Sequence, residues 1–157
     1  MPYKVDWYID KQVVHVKMWG LVPVEEYAAY FRDCFAAYDQ SDYPTVHTIV
    51  DARSVLHNPN LLEIKRALPK ENHPRVGWVL SVVDSPANTL IRMVVNTVSK
   101  LTNQRLRYFN EVDAAIEFLR RMDTDIDWSL ARTEVLQFSP AEQTRSTSDG
   151  IFPFAPA

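Results

Sequence analysis

The stretch "IVDARSVLHNPNLLEIKRAL", residues 49–68, brings a carboxylate, a hydroxyl and an imidazole close together in Asp51, Ser54 and His57. These are the side-chain types of nucleophilic hydrolysis, in which an imidazole deprotonates a serine and a carboxylate orients the imidazole. The spacing argues against that chemistry. No G-x-S-x-G elbow surrounds Ser54, no glycine-rich turn supplies an oxyanion hole, and three residues so close in one loop seldom fall into a productive line. Ser54 reads instead as a loop hydroxyl satisfied by neighbouring backbone. His15, His47, His57 and His73 are scattered, without i, i+4 pairing and without cysteine partners, so no metal site is expected. Gly20, Gly77 and Gly150 are the only glycines, and neither a dinucleotide fingerprint nor a Walker A loop can be written from them. No cofactor is expected. Cys34, the single cysteine, lies among apolar residues of an expected helix and reads as a buried thiol.

The rest of the chain bounds the same question. Its 157 residues suit one domain with some chain left over, and 46% of them are hydrophobic. With 17 basic against 20 acidic side chains there is no excess of positive charge for a phosphate backbone, and nucleic acid is not an expected partner. The opening "MPYKVDWYID" lacks the basic and apolar regions of a signal peptide, and no apolar run approaches the roughly 18–20 residues of a membrane span. The expected location is the cytoplasm.

Hydrophobic periodicity supplies the elements that must position these residues. Val5, Trp7 and Ile9 alternate on one parity; after an Asp10-Lys11 turn Val14, Val16 and Met18 do the same, with His15 and Lys17 opposite, which predicts an antiparallel hairpin with one covered face. A long helix follows, started by Pro23, with Val24, Tyr27, Ala28, Phe31, Cys34, Phe35 and Tyr38 on its apolar stripe. Val46–Asp51 is a buried strand, and Asn60 with Glu63 makes a capping-box-like start to a short helix through Leu61, Ile64 and Leu68. "RVGWVLSVVD" is apolar almost throughout, as befits an inner strand covered on both faces. Ser85 and Pro86 open a further helix carrying Leu90, Ile91, Val94, Val95, Val98 and Leu101, "RLRYF" is a short strand, and Asn110 caps a last helix ending at Asp123. The order is ββαβαβαβα: an α/β fold whose mixed sheet is parallel after the first hairpin, with the first strand antiparallel at an edge. Residues 1–123 form the domain. Residues 124–157 are an extension, apolar at first (Trp128, Leu130, Val135, Leu136 and Phe138), polar over 139–149, and apolar again at "IFPFAPA".

The order of elements, with "VDARSV" ending the third strand, "VLSVVDSP" joining a strand to a helix and "RYFNEVDAAIEFL" closing the domain, resembles the STAS superfamily, specifically its SpoIIAA-like branch (STAS/SEC14 domain proteins). The resemblance covers roughly residues 3–122 and rests on apolar patterns and turns. It implies a SpoIIAA-like fold and a non-enzymatic regulator or binder, as in anti-sigma-factor antagonists, domains attached to anion transporters, and relatives that carry lipids. Switching members of the family hold an Asp-Ser-Ser-Gly-like turn after the third strand, where a phosphate disturbs docking with a kinase. Here that turn reads "LHNPNLLE", without serine or threonine, and the nearest hydroxyl is Ser54.

These readings converge on a cytoplasmic signalling domain that binds a protein partner through the segment holding Arg53, Ser54, His57, Asn58 and Asn60. The alternative is a carrier or sensor of a small apolar ligand or lipid, since some of Trp7, Tyr8, Trp19, Tyr27, Tyr30, Tyr38 and Trp78 could line a pocket or dimer face. Trp128, Leu130, Val135, Leu136 and Phe138 must find a surface, which their own domain could supply, and a homodimer in which residues 124–138 together with Ile151–Phe154 cover apolar surface on the neighbouring chain is expected.

Overall fold

Lys11 adopts the left-handed conformation, with φ of 63°, and its turn reverses the chain between two antiparallel strands, β1 (Tyr3–Ile9) and β2 (Val13–Leu21). The computed structural model describes residues 2–57, 59–84, 93, 96–97, 99–100 and 104–137. Next come α1 (Val24–Asp39), β3 (Val46–His57), α2 (Leu61–Ala67), β4 (Val76–Val82), β5 (Arg105–Phe109) and α3 (Val112–Met122). A 3-10 turn at Trp128–Leu130 and the short α4 (Thr133–Leu136) follow. The helix expected from Ser85 carries its apolar residues Leu90, Ile91, Val94, Val95, Val98 and Leu101 outside the described residues.

The five strands lie in sequence order, β1-β2-β3-β4-β5, antiparallel between β1 and β2 and parallel thereafter. That is the expected mixed sheet, with β1 at an edge. "RVGWVLSVVD" supplies β4, an inner strand between β3 and β5. Two cores lie on its two faces. One joins Tyr3, Val14, Val16, Met18, Val46 and Val50 to Tyr30, Cys34 and Tyr38 of α1; the other joins Tyr8, Ile9, Val13, Ile49, Leu80 and Val82 to Ala115, Phe118 and Leu119 of α3.

Several expectations are corrected by this layering. The hairpin is covered on both faces, since His15 and Lys17, expected opposite the core, are themselves buried. Ile9 does not share a face with Val5 and Trp7, because an irregularity between Trp7 and Ile9 turns it into the second core. The α1 stripe is rotated slightly: Tyr30 is buried and Ala29 packs on the core, while Ala28 faces water. Tyr30, read as possible pocket lining, and Tyr38 are closely packed core rings, with Phe31 stacked 4.4 Å from Tyr30 and the Tyr38 hydroxyl bonded to Thr48 at 2.6 Å. Asn110 lies one residue too early to cap α3, whose N-cap is Glu111 without a side-chain bond. The largest correction concerns β3. The expected strand Val46–Asp51 runs on to His57, so Arg53, Ser54 and His57 are strand residues.

Candidate functional site

What carries β3 past Asp51 is its neighbour on one side only. Pairing with β4 ends at Asp51 opposite Val82, whereas pairing with β2 continues through Trp19 and Ser54 to Leu21 and His57, with two irregularities on the way. The last residues of β2 and β3 therefore form a two-stranded ribbon that outruns the sheet, held at its tip by the Val22 N–H donating to the His57 carbonyl at 3.1 Å. Asn60 then starts α2 with a complete capping box: its Oδ1 accepts from the Glu63 N–H at 3.0 Å, and Glu63 Oε2 accepts from the Asn60 N–H at 3.0 Å. A cap of this kind contributes about 1 kcal/mol by satisfying two backbone N–H groups at the start of the helix.

At the root of the ribbon lies a charged cluster that the sequence pattern did not reveal. Lys17 Nζ donates to Asp51 Oδ2 at 3.0 Å across the β2–β3 pair, and the Arg53 guanidinium grips the same carboxylate in two places, Nε to Oδ1 at 2.9 Å and Nη2 to Oδ2 at 2.8 Å. The Arg53 N–H adds a further bond to Oδ1 at 3.2 Å. The Asp51 side chain is 2% exposed, that of Lys17 10% and that of Arg53 36%, so the cluster runs from the interior to the surface. Burial alone pushes the Asp51 carboxyl up, but the bonds from Arg53 and Lys17 outweigh it and hold the group down at about 2. A lysine at a strand position and an aspartate ending a strand are weak signals separately; only their register makes them a pair.

This arrangement decides what the Asp51, Ser54 and His57 set can do. Asp51 directs both carboxylate oxygens at Lys17 and Arg53, while His57 stands at the exposed tip of β3 opposite Leu21. The structure does not bring the carboxylate and the imidazole together as a triad requires. Arg53 is tied into the cluster, His57 and Asn60 are exposed, and Asn58 lies outside the described residues. Around them three leucines face water: Leu21 is 69% exposed, Leu56 82% and Leu62 56%.

Two residues before Lys17 on β2, on the same face, sits His15, 3% exposed, with Nε2 buried and without a hydrogen-bond partner among the described residues. Burial lowers its pKa from 6.5 to about 4, against an upward pull from Asp51. An imidazole held neutral in the fold but free to protonate when unfolded stabilises fully above pH 6.5, and that contribution is lost as the pH falls toward 4. The shift amounts to about 3 kcal/mol. Urea unfolding between pH 7 and 4 should show the native chain losing about that much more stability than His15→Gln. Identical slopes for the two chains would clear His15 of this role.

The C-terminal segment packs on its own chain. Trp128 and Leu136 join the core beneath α3, Val135 is buried, the Arg132 N–H donates to the Tyr8 carbonyl of β1 at 2.7 Å, and Gln12 Oε1 accepts from the Asp127 N–H at 3.2 Å. Arg120 lies 4.3 Å over the Trp128 ring. Leu130 is 50% exposed, and Phe138 lies outside the described residues. Pairing of two copies would have to use surface other than that already covered by Trp128 and Leu136.

No protein-family model matches the chain, and no curated protein matches it. Among solved structures it is similar to the crystal structure of an uncharacterized DUF3478-family protein from Shewanella loihica, with a SpoIIAA-like fold, at a TM-score of 0.50 and 15% identity over 74% of this chain and 91% of that one. The fold is SpoIIAA-like. In this SpoIIAA-like chain the turn between β3 and α2 carries the proline-asparagine pair Pro59-Asn60 and an intact capping box. No helix among the described residues is long and apolar enough to cross a membrane.

Proposed function

We propose that this SpoIIAA-like domain is a non-enzymatic interaction module, working in the cytoplasm in a regulatory pathway, that docks a protein partner on the projecting β2–β3 ribbon and the start of α2. The observation that supports this reading most is the exposure of Leu21 and Leu56, on the two faces of the ribbon, and of Leu62 in the first turn of α2, beside exposed His57 and Asn60, at the end of the sheet that outruns its neighbours. Large apolar side chains exposed on a projecting ribbon favour a protein contact that wraps its tip, and the polar residues between them suit its rim. The ion cluster at the ribbon root supports the same reading by stiffening the docking edge from beneath. Asp51, engaged on both oxygens, has no share in activating Ser54, which speaks for binding over hydrolysis.

A photo-reactive residue placed at position 56 should give one discrete cross-linked adduct in cells, lost with Leu21→Asp and with His57→Ala. Both substitutions are at the surface and should change folding stability by no more than about 0.5 kcal/mol. An adduct that survives both changes moves the docking surface elsewhere, and covalent labelling of Ser54 by a serine-directed activity probe, abolished by His57→Ala, would replace the binding reading with an enzymatic one.

A further inference from the structure

The far side of the sheet ends in β5, whose sequence "RLRYF" places Arg105 and Arg107 at alternate positions, both exposed. Residues two apart on a strand project from the same face, roughly 6.6 Å from one another. Neither guanidinium hangs free in solvent. Arg105 lies 5.4 Å from the centre of the Trp78 ring and Arg107 4.9 Å from that of Phe118, and Trp78 and Phe118 themselves meet edge to face at 5.0 Å. Stacking on aromatic rings of the face that carries α3 holds each guanidinium in place while its N–H groups stay available to an added carboxylate on that face. Among the described residues neither arginine forms an ion pair with a carboxylate.

β5 bonds to β4 on one side and, among the described residues, ends the sheet on the other, so its outer backbone groups are a template for one more strand. The charge selects what that strand can be. A second copy pairing through its own β5 would set arginines against arginines, which is unfavourable across strands, whereas carboxylates at alternate positions of an extended segment match the spacing of the two guanidinium forks. We propose that the outer edge of β5 takes up an extended acidic segment of a partner protein as a sixth strand, its alternate carboxylates paired with Arg105 and Arg107. This site lies across the sheet from the β2–β3 ribbon and stands independently of it.

The test uses a fluorescent, end-blocked peptide of alternating glutamate and valine, titrated with the full chain at low salt and followed by anisotropy. Saturable binding is expected, weakening as salt screens the pairs. Arg105→Glu with Arg107→Glu should weaken it at least about tenfold and confer binding of the matching lysine-valine peptide. The same glutamate peptide N-methylated at alternate residues keeps its charge but cannot form the ladder, and it should lose binding to the unaltered protein. Equal binding of the N-methylated peptide, no binding of the parent peptide, or displacement of it from the arginines by a single-stranded oligonucleotide at lower concentration would each overturn the proposal. The N-methyl comparison needs no variant, so it stands even if the double substitution fails to fold.

Discussion

Asp51→Asn should destabilise the fold by about 3–5 kcal/mol, because it leaves the Lys17 ammonium, with a side chain only 10% exposed, inside the protein without its counter-charge. Arg53→Gln should cost much less, since that guanidinium reaches solvent and Asp51 keeps Lys17. The pair differs from a hydrophobic contact in one testable way. Lys17→Met combined with Asp51→Leu removes both charges together, and the double variant should recover most of the loss seen for Asp51→Asn. Urea midpoints for the three chains decide the matter, and a double variant no more stable than Asp51→Asn would show that the cluster does more than balance its own charges. The pH dependence has a definite sign. A carboxyl held at about 2 in the fold against an ordinary 3.8 lends stability above pH 3.8 that disappears as the pH falls through 2, below the window in which His15 acts.

Gly77→Ala should cost roughly 4 kcal/mol, with no ligand or partner involved. A Cβ at this position would stand 2.5 Å from His47 Nδ1, 2.6 Å from Thr45 Cγ2 and 2.7 Å from His47 Cε1. The imidazole cannot move aside. Its Nδ1 accepts from the Trp78 N–H at 2.9 Å, which places the ring proton on Nε2, and Nε2 donates to Asp123 Oδ2 at 2.8 Å. Burial lowers the pKa of His47 against the upward pull of Asp123, in keeping with a neutral ring that serves as a brace from β3 across β4 to the end of α3. Displacing it strands a backbone N–H and a carboxylate bond together. Gly77→Ala with His47→Ala should then be less destabilised than the sum of the two single changes. Strict additivity in thermal unfolding would show that the methyl group and the ring do not compete for the same space.

The order of elements, the mixed sheet and the capping box at Asn60 were legible in the chain because each is written locally. Period-two and helical alternation mark which face of an element is apolar, and Asn60 and Glu63 need only each other. What the chain could not show is how far β3 extends, since "RSVLH" is polar enough to read as loop and becomes strand only because β2 continues beside it. Nor could alternation alone show that His15 and Lys17 lie under cover, because a polar residue on the second face of a strand looks solvated until the packing on that face is known. The C-terminal segment is apolar enough to demand a surface, and its pattern does not say which; Gln12, Tyr8 and Trp128 tie its described part to its own sheet. Asp51 reaches Arg53 two residues along its own strand, but Lys17 joins them only through strand register, a relation between residues far apart in sequence that tertiary packing alone sets.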